Sequence, residues 1–203
     1  MASNPASKTT KRKATKPRAA QKVMSTSVRA NRNPVEISIL VPVMNEAGNI
    51  RPLIDEICTA FAGRRLEIIY IDDASNDATA NELAAALDAV PQLRVLRHTQ
   101  RAGQSAAIQS GLLQANGDLI GVLDGDGQNV PADFPALESS VIAASKDGKM
   151  VMAAGIRQRR DDSVMRLLAS RGAKWVRASL LADTHPDSGC GIKVLPRALF
   201  LQL

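Results

Sequence analysis

Hydrophobic positions along this chain switch repeatedly between short continuous runs and helical spacing. The continuous runs predict strands over residues 36–42, 67–71, 93–96, 119–123, 150–154 and 191–195. Apolar residues three or four positions apart predict helices over residues 47–61, 78–90, 103–115, 133–145 and 163–181. Strands without polar alternation, separated by helices, are typical of βαβ units whose sheet is buried on both faces. The pattern therefore predicts an α/β fold, with a mostly parallel central sheet flanked by helices and ligands beyond the carboxyl ends of the strands.

Charge divides the 203-residue chain into two parts. Residues 1–33 hold nine Lys or Arg and no Asp or Glu, whereas residues 34–203 hold 17 basic and 20 acidic residues. The net charge of +6 therefore comes from a tail of +9, and the body carries −3. Because the tail is rich in Ser, Thr, Ala and Lys and poor in apolar residues, it is predicted to be disordered, ahead of one folded domain over 34–203.

The basic tail has more than one interpretation. It could be a solvated extension without a role, or it could be attracted to an anionic membrane surface, which contributes about 1 kcal/mol per basic residue close to the lipid. Contact with nucleic acid through the same charges would be unspecific, and a transit peptide fits weakly because Lys outnumbers Arg. The sequence predicts neither a secretory signal nor a membrane-spanning helix.

Polar residues collect where three of the predicted strands end. The segments are 42–46 (PVMNE), 72–77 (DDASND) and 124–128 (DGDGQ). Since the carboxyl ends of parallel strands share one edge of a sheet, these segments should converge on one rim. So many like charges in one place require cations or hydrogen-bond donors to compensate them.

The pattern Asp124-x-Asp126-x-Gln128 predicts a cation site. Three oxygen-bearing side chains on a turn that leaves a strand can face one point, and oxygen ligands suit Mg2+ or Mn2+. A plain Asp-Gly turn is the alternative. An EF-hand loop is excluded, because its sixth position would be Asn129 instead of Gly and its twelfth Pro135 instead of Glu.

Asp72 and Asp73 also allow two interpretations. Adjacent acids at a strand end often cap the next helix, but Asp77 stands directly before the helix predicted from residue 78 and is the better cap. That leaves Asp73 to accept hydrogen bonds from a base or a ribose.

Several function classes lack their motifs. The sequence contains neither GxxxxGK[ST] nor GxGxxG after the first strand, and His98 and His185 have no nucleophile in a recognisable elbow. Aromatic residues make up 2% of the chain, too few for base-stacking platforms. Cys58 and Cys190 form no metal-binding spacing, and free thiols fit a reducing compartment.

Basic residues follow the fifth predicted strand. Arg157 follows this strand, and Arg171, Lys174 and Arg177 recur every third position along the next helix, so that they can share one face. The face is either solvated or forms a phosphate-binding wall opposite the acids.

In this order and spacing, the motifs resemble glycosyltransferase family 2. The resemblance covers residues 34–203 and is carried by LVPVMNEAGNI (40–50), EIIYIDDASNDAT (67–79), RAGQSAAIQSGLLQANGD (101–118) and VLDGDGQNVPAD (122–133). The later stretches AGIRQRRDDS, SRGAKW and DTHPDSGCGIKVLPR are similar to the dolichol-phosphate mannose synthases and related polyprenyl-phosphate glycosyltransferases. The resemblance implies a GT-A fold, a Rossmann-like nucleotide-sugar-binding fold. It also implies inverting, metal-dependent transfer of a hexose, mannose or similar, from a nucleotide sugar to a polyprenyl (dolichyl or undecaprenyl) phosphate.

The resemblance also implies roles for individual residues. The nucleotide-sugar site would be lined by Pro42, Met44, Glu46, Ile71, Asp73, Leu123, Asp124 and Gly125. Asp124 and Asp126 would be catalytic and would hold, with Gln128, a Mg2+ or Mn2+ ion on the donor diphosphate. Arg157 and Arg171 would bind the phosphate of the lipid acceptor. The expected place of action is the cytoplasmic face of a membrane, reached through the basic tail, with no specific nucleic-acid partner.

Departures from the family pattern leave alternatives open. Many members have an aromatic residue where Met44 stands, so GDP and UDP both remain candidates for the donor. The apolar ending ALFLQL (198–203) leads us to expect a shortened catalytic domain. Alternatives are a family 2 transferase with a non-lipid acceptor, a non-catalytic nucleotide-sugar-binding module, and a nucleic-acid binder driven by the tail.

Overall fold

The computed structural model describes residues 23–26, 35–145, 151–155 and 191–202. Its strands are β1 (Val23–Thr26), β2 (Ile37–Val43), β3 (Leu66–Asp72), β4 (Leu93–His98), β5 (Leu119–Val122), β6 (Ala153–Ala154) and β7 (Lys193–Pro196). Its helices are α1 (Ile50–Ala60), α2 (Thr79–Ala89), α3 (Gln104–Gln114), α4 (Phe134–Ser145), which follows a 3-10 turn at Pro131–Asp133, and α5 (Arg197–Phe200).

The described strands form one sheet in the order β1-β4-β3-β2-β5-β7-β6. The central strands β4, β3, β2 and β5 run parallel, whereas β1, β7 and β6 pair antiparallel with their neighbours. Strand β2 lies between β3 and β5, so the chain reverses its direction of progress across the sheet there. Such a switch point leaves a crevice at the carboxyl ends of the strands, where ligands of α/β proteins bind.

Helices cover both faces of the sheet, as continuous apolar strands require. Helices α1, α2 and α4 pack on one face, where Tyr70, Ile54 and Phe134 are fully buried. Helix α3 and the short α5 pack on the other face, over Leu40 and Ile71. All seven residues of β2 and of β3 are buried, which explains why neither strand alternates in polarity.

A buried carboxylate joins the amino-terminal ends of three strands. Glu67 of β3 accepts hydrogen bonds from the Ser38 hydroxyl of β2 (2.6 Å), from Arg94 Nη1 of β4 (3.0 Å) and from the backbone and side-chain N–H groups of Asn116, just before β5. Burial alone would raise the pKa of Glu67, but these hydrogen bonds outweigh it and hold the pKa below its ordinary value. Glu67 is therefore ionised, and its hydrogen bonds connect neighbouring strands at the edge of the sheet opposite the crevice.

The predicted strands and helices agree with the observed ones to within a few residues over the described part of the chain. One difference lies at Val23–Thr26, inside the predicted tail, where backbone pairing with Val95–His98 of β4 forms the edge strand β1. The rest of the tail, the helix predicted over 163–181, Cys190, and both Arg157 and Arg171 lie outside the described residues. Among the described helices, none combines the length and the apolarity that crossing a bilayer requires.

Candidate active site

A cavity of about 320 Å³ opens at the carboxyl ends of the central strands. Its volume lies at the lower end of the range of small-molecule sites. Its walls come from the segments after β2, β3, β4 and β5. The lining residues are Pro42, Val43, Met44, Glu46, Asp73, Arg101, Gly103, Gln104, Ala107, Asp124, Gly125 and Asp126.

Most of the candidate residues lie together in this cavity. Its lining includes Pro42, Met44, Glu46, Asp73, Asp124, Gly125 and Asp126. Ile71 and Leu123 do not line it, because both side chains are fully buried in the core. Gln128 is exposed beside it and touches Asp126 through its backbone N–H, which donates to Asp126 Oδ1 at 3.1 Å.

Asp73 is held in the cavity wall by the turn between β4 and α3. Its Oδ1 accepts from the Ala102 N–H (2.8 Å) and lies 2.7 Å from His98 Nδ1, while its Oδ2 accepts from the Gly103 N–H (2.7 Å). Gly103 has φ +93°, a conformation that other residues rarely adopt. Burial would raise the pKa of Asp73, but the hydrogen bonds from His98, Ala102 and Gly103 outweigh it and lower the pKa. An ionised carboxylate therefore faces the cavity.

The neighbouring acid, Asp72, has a structural role in the loop after β3. It is fully buried, its Oδ1 accepts from the Ser75 N–H at 2.8 Å, and its Oδ2 lies 3.2 Å from Arg97 Nε. Asp77 Oδ1 accepts the N–H of Thr79, the first residue of α2, at 3.0 Å. The segment after β3 thus separates one acid for the cavity from two that fix the loop.

The loop after β2 is fastened to the start of α2 through its backbone. Four consecutive amides, those of residues 45–48, donate to side-chain oxygens of Ser75 (2.9 Å), Thr79 (2.9 Å), Asp77 (3.3 Å) and Glu82 (2.9 and 3.0 Å), respectively. Asn45 adopts φ +58° and accepts the Asn76 N–H in return. This ladder sets the path of the chain that places Met44 and Glu46 in the cavity.

Asp124 and Asp126 line the cavity from the turn that follows β5, which is separated from β3 by the central strand β2. Asp124 Oδ1 accepts from Gln104 Nε2 at 2.7 Å, and a side chain on Gly191 would overlap the Asp124 carboxylate. Neither acid forms an ion pair with any residue that the structure describes.

Five of the twelve lining residues were not among the site residues predicted from the sequence: Val43, Arg101, Gly103, Gln104 and Ala107. All of these except Val43 lie in the stretch RAGQSAA (101–107), which begins in the turn after β4 and continues into α3. This stretch was quoted for the family resemblance but was assigned no role. The available signal was the end of β4, which lies at the same edge as the ends of β2, β3 and β5.

The charge of the lining fits a cation. Glu46, Asp73, Asp124 and Asp126 are acids, and Arg101 is the base among the described lining residues. A diphosphate would be repelled here unless a cation lay between it and the acids. No group of three or more His, Cys, Asp or Glu side chains with metal-binding placement occurs in the described ranges. Two carboxylates with further oxygens from phosphates and water are the donor set that Mg2+ commonly takes.

The chain is similar to one family model and to curated relatives over most of its length. A model described as Glycosyl transferase family 2 matches residues 38–191. The chain is 30% identical over 185 residues to a dodecaprenyl-phosphate galacturonate synthase of Rhizobium johnstonii, covering 87% of this chain and 53% of that protein. It is 32% identical over 166 residues to an undecaprenyl-phosphate 4-deoxy-4-formamido-L-arabinose transferase of Klebsiella pneumoniae, covering 80% and 49%. The chain thus spans about half the length of these curated relatives.

Solved structures share the fold. A mannosyltransferase of Pyrobaculum calidifontis, in complex with GDP-Man and Mn2+, superposes with a TM-score of 0.60 at 21% identity over 82% of this chain and 46% of that one. A glucosyl-3-phosphoglycerate synthase of Mycobacterium tuberculosis, with Mn2+, UDP-glucose and phosphoglyceric acid, gives 0.66 at 21% identity over 83% and 59%. These similarities confirm the predicted GT-A fold. The family match over residues 38–191 establishes that the chain belongs to glycosyltransferase family 2.

Proposed function

We propose that this chain transfers a sugar from a nucleotide sugar to a polyprenyl phosphate with the help of a divalent cation. The observation that carries the proposal is one cavity lined both by Asp73, just after β3, and by the pair Asp124 and Asp126, on the turn after β5. A nucleoside at Asp73 and a diphosphate near the pair would span this cavity. The names of the relatives from Rhizobium johnstonii and Klebsiella pneumoniae support a polyprenyl-phosphate acceptor.

The residues of the cavity divide the work between binding and charge balance. Asp73 accepts hydrogen bonds from the base or ribose through Oδ2, which has one bond from Gly103 and room for another. Pro42, Met44 and Glu46 form the wall beside it. Asp124 and Asp126, with Gln128, would hold the cation, which when bound would stabilise the negative charge on the leaving diphosphate.

The transfer step needs little from a general base. A phosphate oxygen of the acceptor, already ionised at neutral pH, forms a bond to the anomeric carbon while the bond from that carbon to the diphosphate oxygen breaks. The electron pair leaves with the nucleotide, and the configuration at the anomeric carbon inverts. His98 is buried and bonded to Asp73 and Ser110, so it is not placed to take a substrate proton.

The sugar and the base of the donor follow less directly. The related proteins carry galacturonate or formamido-arabinose in their names, so mannose has no support from them. The solved neighbours hold GDP-Man in one case and UDP-glucose in the other. We therefore propose a GDP- or UDP-linked sugar of hexose or pentose size, to be identified with a donor panel.

The acceptor phosphate is assigned to Arg157 and Arg171. Both residues lie outside the described ranges, and the assignment depends on the family resemblance of their stretches. Guanidinium groups suit this task because they bind phosphate oxygens in a bidentate manner.

Transfer from a panel of GDP- and UDP-sugars should depend on the lipid phosphate. We expect radiolabelled product with undecaprenyl phosphate and none with undecaprenol, which has the same chain without the phosphate. Soluble sugars and phosphoglycerate serve as the competing acceptors. Product with those alone would support a family 2 transferase with a non-lipid acceptor. Donor binding without any product would support a non-catalytic nucleotide-sugar-binding module.

We also propose that the basic tail brings the domain to an anionic membrane, at the cytoplasmic face where nucleotide sugars are available. Removal of residues 1–22 leaves β1 in place and takes away seven Lys or Arg. We expect partition onto phosphatidylserine vesicles to fall by at least about tenfold, since each basic residue near the lipid contributes about 1 kcal/mol.

The matched control is a full-length tail in which those seven residues are replaced by Gln. It should behave like the deletion on phosphatidylserine vesicles. On pure phosphatidylcholine, neither variant should differ from the natural chain. Unchanged binding to phosphatidylserine in both variants would contradict the proposed role of the tail in membrane binding.

A further inference from the structure

Gln104 connects the start of α3 to the acids after β5. Its Nε2 donates to Asp124 Oδ1 at 2.7 Å, and both residues line the cavity. A carboxylate accepts hydrogen bonds and cannot donate one when ionised, so the amide nitrogen must face Asp124. The bond fixes which oxygen of Asp124 is taken by the protein.

The turn before α3 and the first residue of α3 thereby contact two acids of the cavity that follow different strands. Ala102 and Gly103 bind Asp73 through their backbone N–H groups, and the next residue, Gln104, binds Asp124 through its side chain. The positive φ of Gly103 directs its N–H towards Asp73 just before α3 begins at Gln104. Three consecutive residues, 102–104, therefore contact both Asp73 and Asp124.

Gly191 limits the same carboxylate from another side. A Cβ at this position would overlap the Asp124 carboxyl group, which lies against the Gly191 backbone. Asp124 is thus confined by a hydrogen bond to Oδ1 and by a close backbone approach. Such confinement selects one rotamer for a side chain that would otherwise have several.

We propose that Gln104 is a positioning residue that orients Asp124 for the cation, with Gly191 leaving the space that this orientation needs. The inference rests on the proposed function, because it assumes that Asp124 and Asp126 hold a divalent cation with the nucleotide. A hydrogen-bonded partner that orients a metal ligand commonly contributes about 10- to 100-fold to metal affinity. Gln104 is exposed, so an effect at the lower end is expected.

The test replaces Gln104 by Leu, which has a similar size and no hydrogen-bond donor. Gln109→Leu is the matched control, because Gln109 is an exposed residue of the same helix that does not line the cavity. The nucleotide, UDP or GDP as the natural chain prefers, is titrated by calorimetry with saturating Mn2+ and again with EDTA. The Mn2+ electron paramagnetic resonance signal of the same samples reports the bound metal.

For Gln104→Leu we expect about 10-fold weaker binding of nucleotide with Mn2+. Binding in EDTA and the melting temperature should stay the same, and Gln109→Leu should match the natural chain throughout. Gly191→Ala, which displaces Asp124 without touching Gln104, should reproduce the Mn2+-specific loss.

Equal losses with and without metal would overturn the positioning role, because Gln104 would then contact the nucleotide itself. Unchanged Mn2+-dependent binding in Gln104→Leu would also overturn it. Failure of the proposed function is distinguishable: the natural chain itself would then show no Mn2+-dependent binding.

Discussion

Asp126→Asn should abolish the effect of a divalent cation on nucleotide binding. The substitution keeps an oxygen that can accept the Gln128 N–H, now at 3.1 Å, and removes the negative charge. Asp124 would then be the one carboxylate left on this turn among the lining residues. The cation would lose one of its two proposed carboxylate ligands. Stabilisation of a leaving diphosphate by a cation is worth several kcal/mol, so transfer should fall by about 100-fold or more.

The control for this variant is Asp133→Asn, an exposed acid of the 3-10 turn that does not line the cavity. It should match the natural chain in Mn2+-dependent binding and in the initial rate of transfer. Metal-dependent binding that persists in Asp126→Asn would mean that the turn after β5 does not bind the cation. The cation would then have to be assigned elsewhere.

Among the substitutions proposed, Glu67→Gln should cause the largest loss of stability. The carboxylate is buried and accepts hydrogen bonds from Ser38, Arg94 and Asn116, and an amide in its place would turn an N–H₂ group towards some of these donors. Breaking a buried charge network by removing one partner costs about 3–5 kcal/mol. Because Arg94 is partly exposed, we expect the free energy of unfolding to fall by about 3 kcal/mol. Urea unfolding measures it, with the exposed Glu56→Gln of α1 as the control.

The same residue predicts a pH dependence of unfolding. The pKa of Glu67 is lower in the folded chain than in the unfolded one, so its contribution is fully present above the unfolded value of about 4.3 and is lost as the pH falls through the folded value. The free energy of unfolding of the natural chain should therefore decrease on acidification below about pH 4. Glu67→Gln should lack this part of the decrease, and an identical pH profile in both proteins would contradict the assignment.

The elements that carry strong local patterns were predictable from the sequence. Runs such as ISILVPV and LEIIYID are apolar throughout because both faces of β2 and β3 are covered, and this is visible without a structure. The convergence of the segments that begin at residues 42, 72 and 124 followed from the predicted parallel sheet, because parallel strands end at one edge.

Long-range polar contacts were not predictable in this way. No local pattern shows that Glu67 meets Asn116, 49 residues later, or that Gln104 meets Asp124. Edge strand β1 was missed because four residues inside a basic, Ser- and Thr-rich stretch give no period, and their pairing depends on the free edge of β4. Ile71 and Leu123 entered the candidate site through family resemblance, whereas both faces of the sheet are covered and both side chains lie in the core.

Calorimetric titration of the chain with GDP and with UDP, each with Mn2+ and with EDTA, tests the central claim most directly. We expect one of the two nucleotides to bind in the cavity between Asp73 and the Asp124–Asp126 pair, and to bind more tightly with Mn2+. That result would support the donor site and identify its base. If neither nucleotide bound, with Mn2+ or with EDTA, the result would contradict the claim that this cavity is the donor site of a glycosyltransferase.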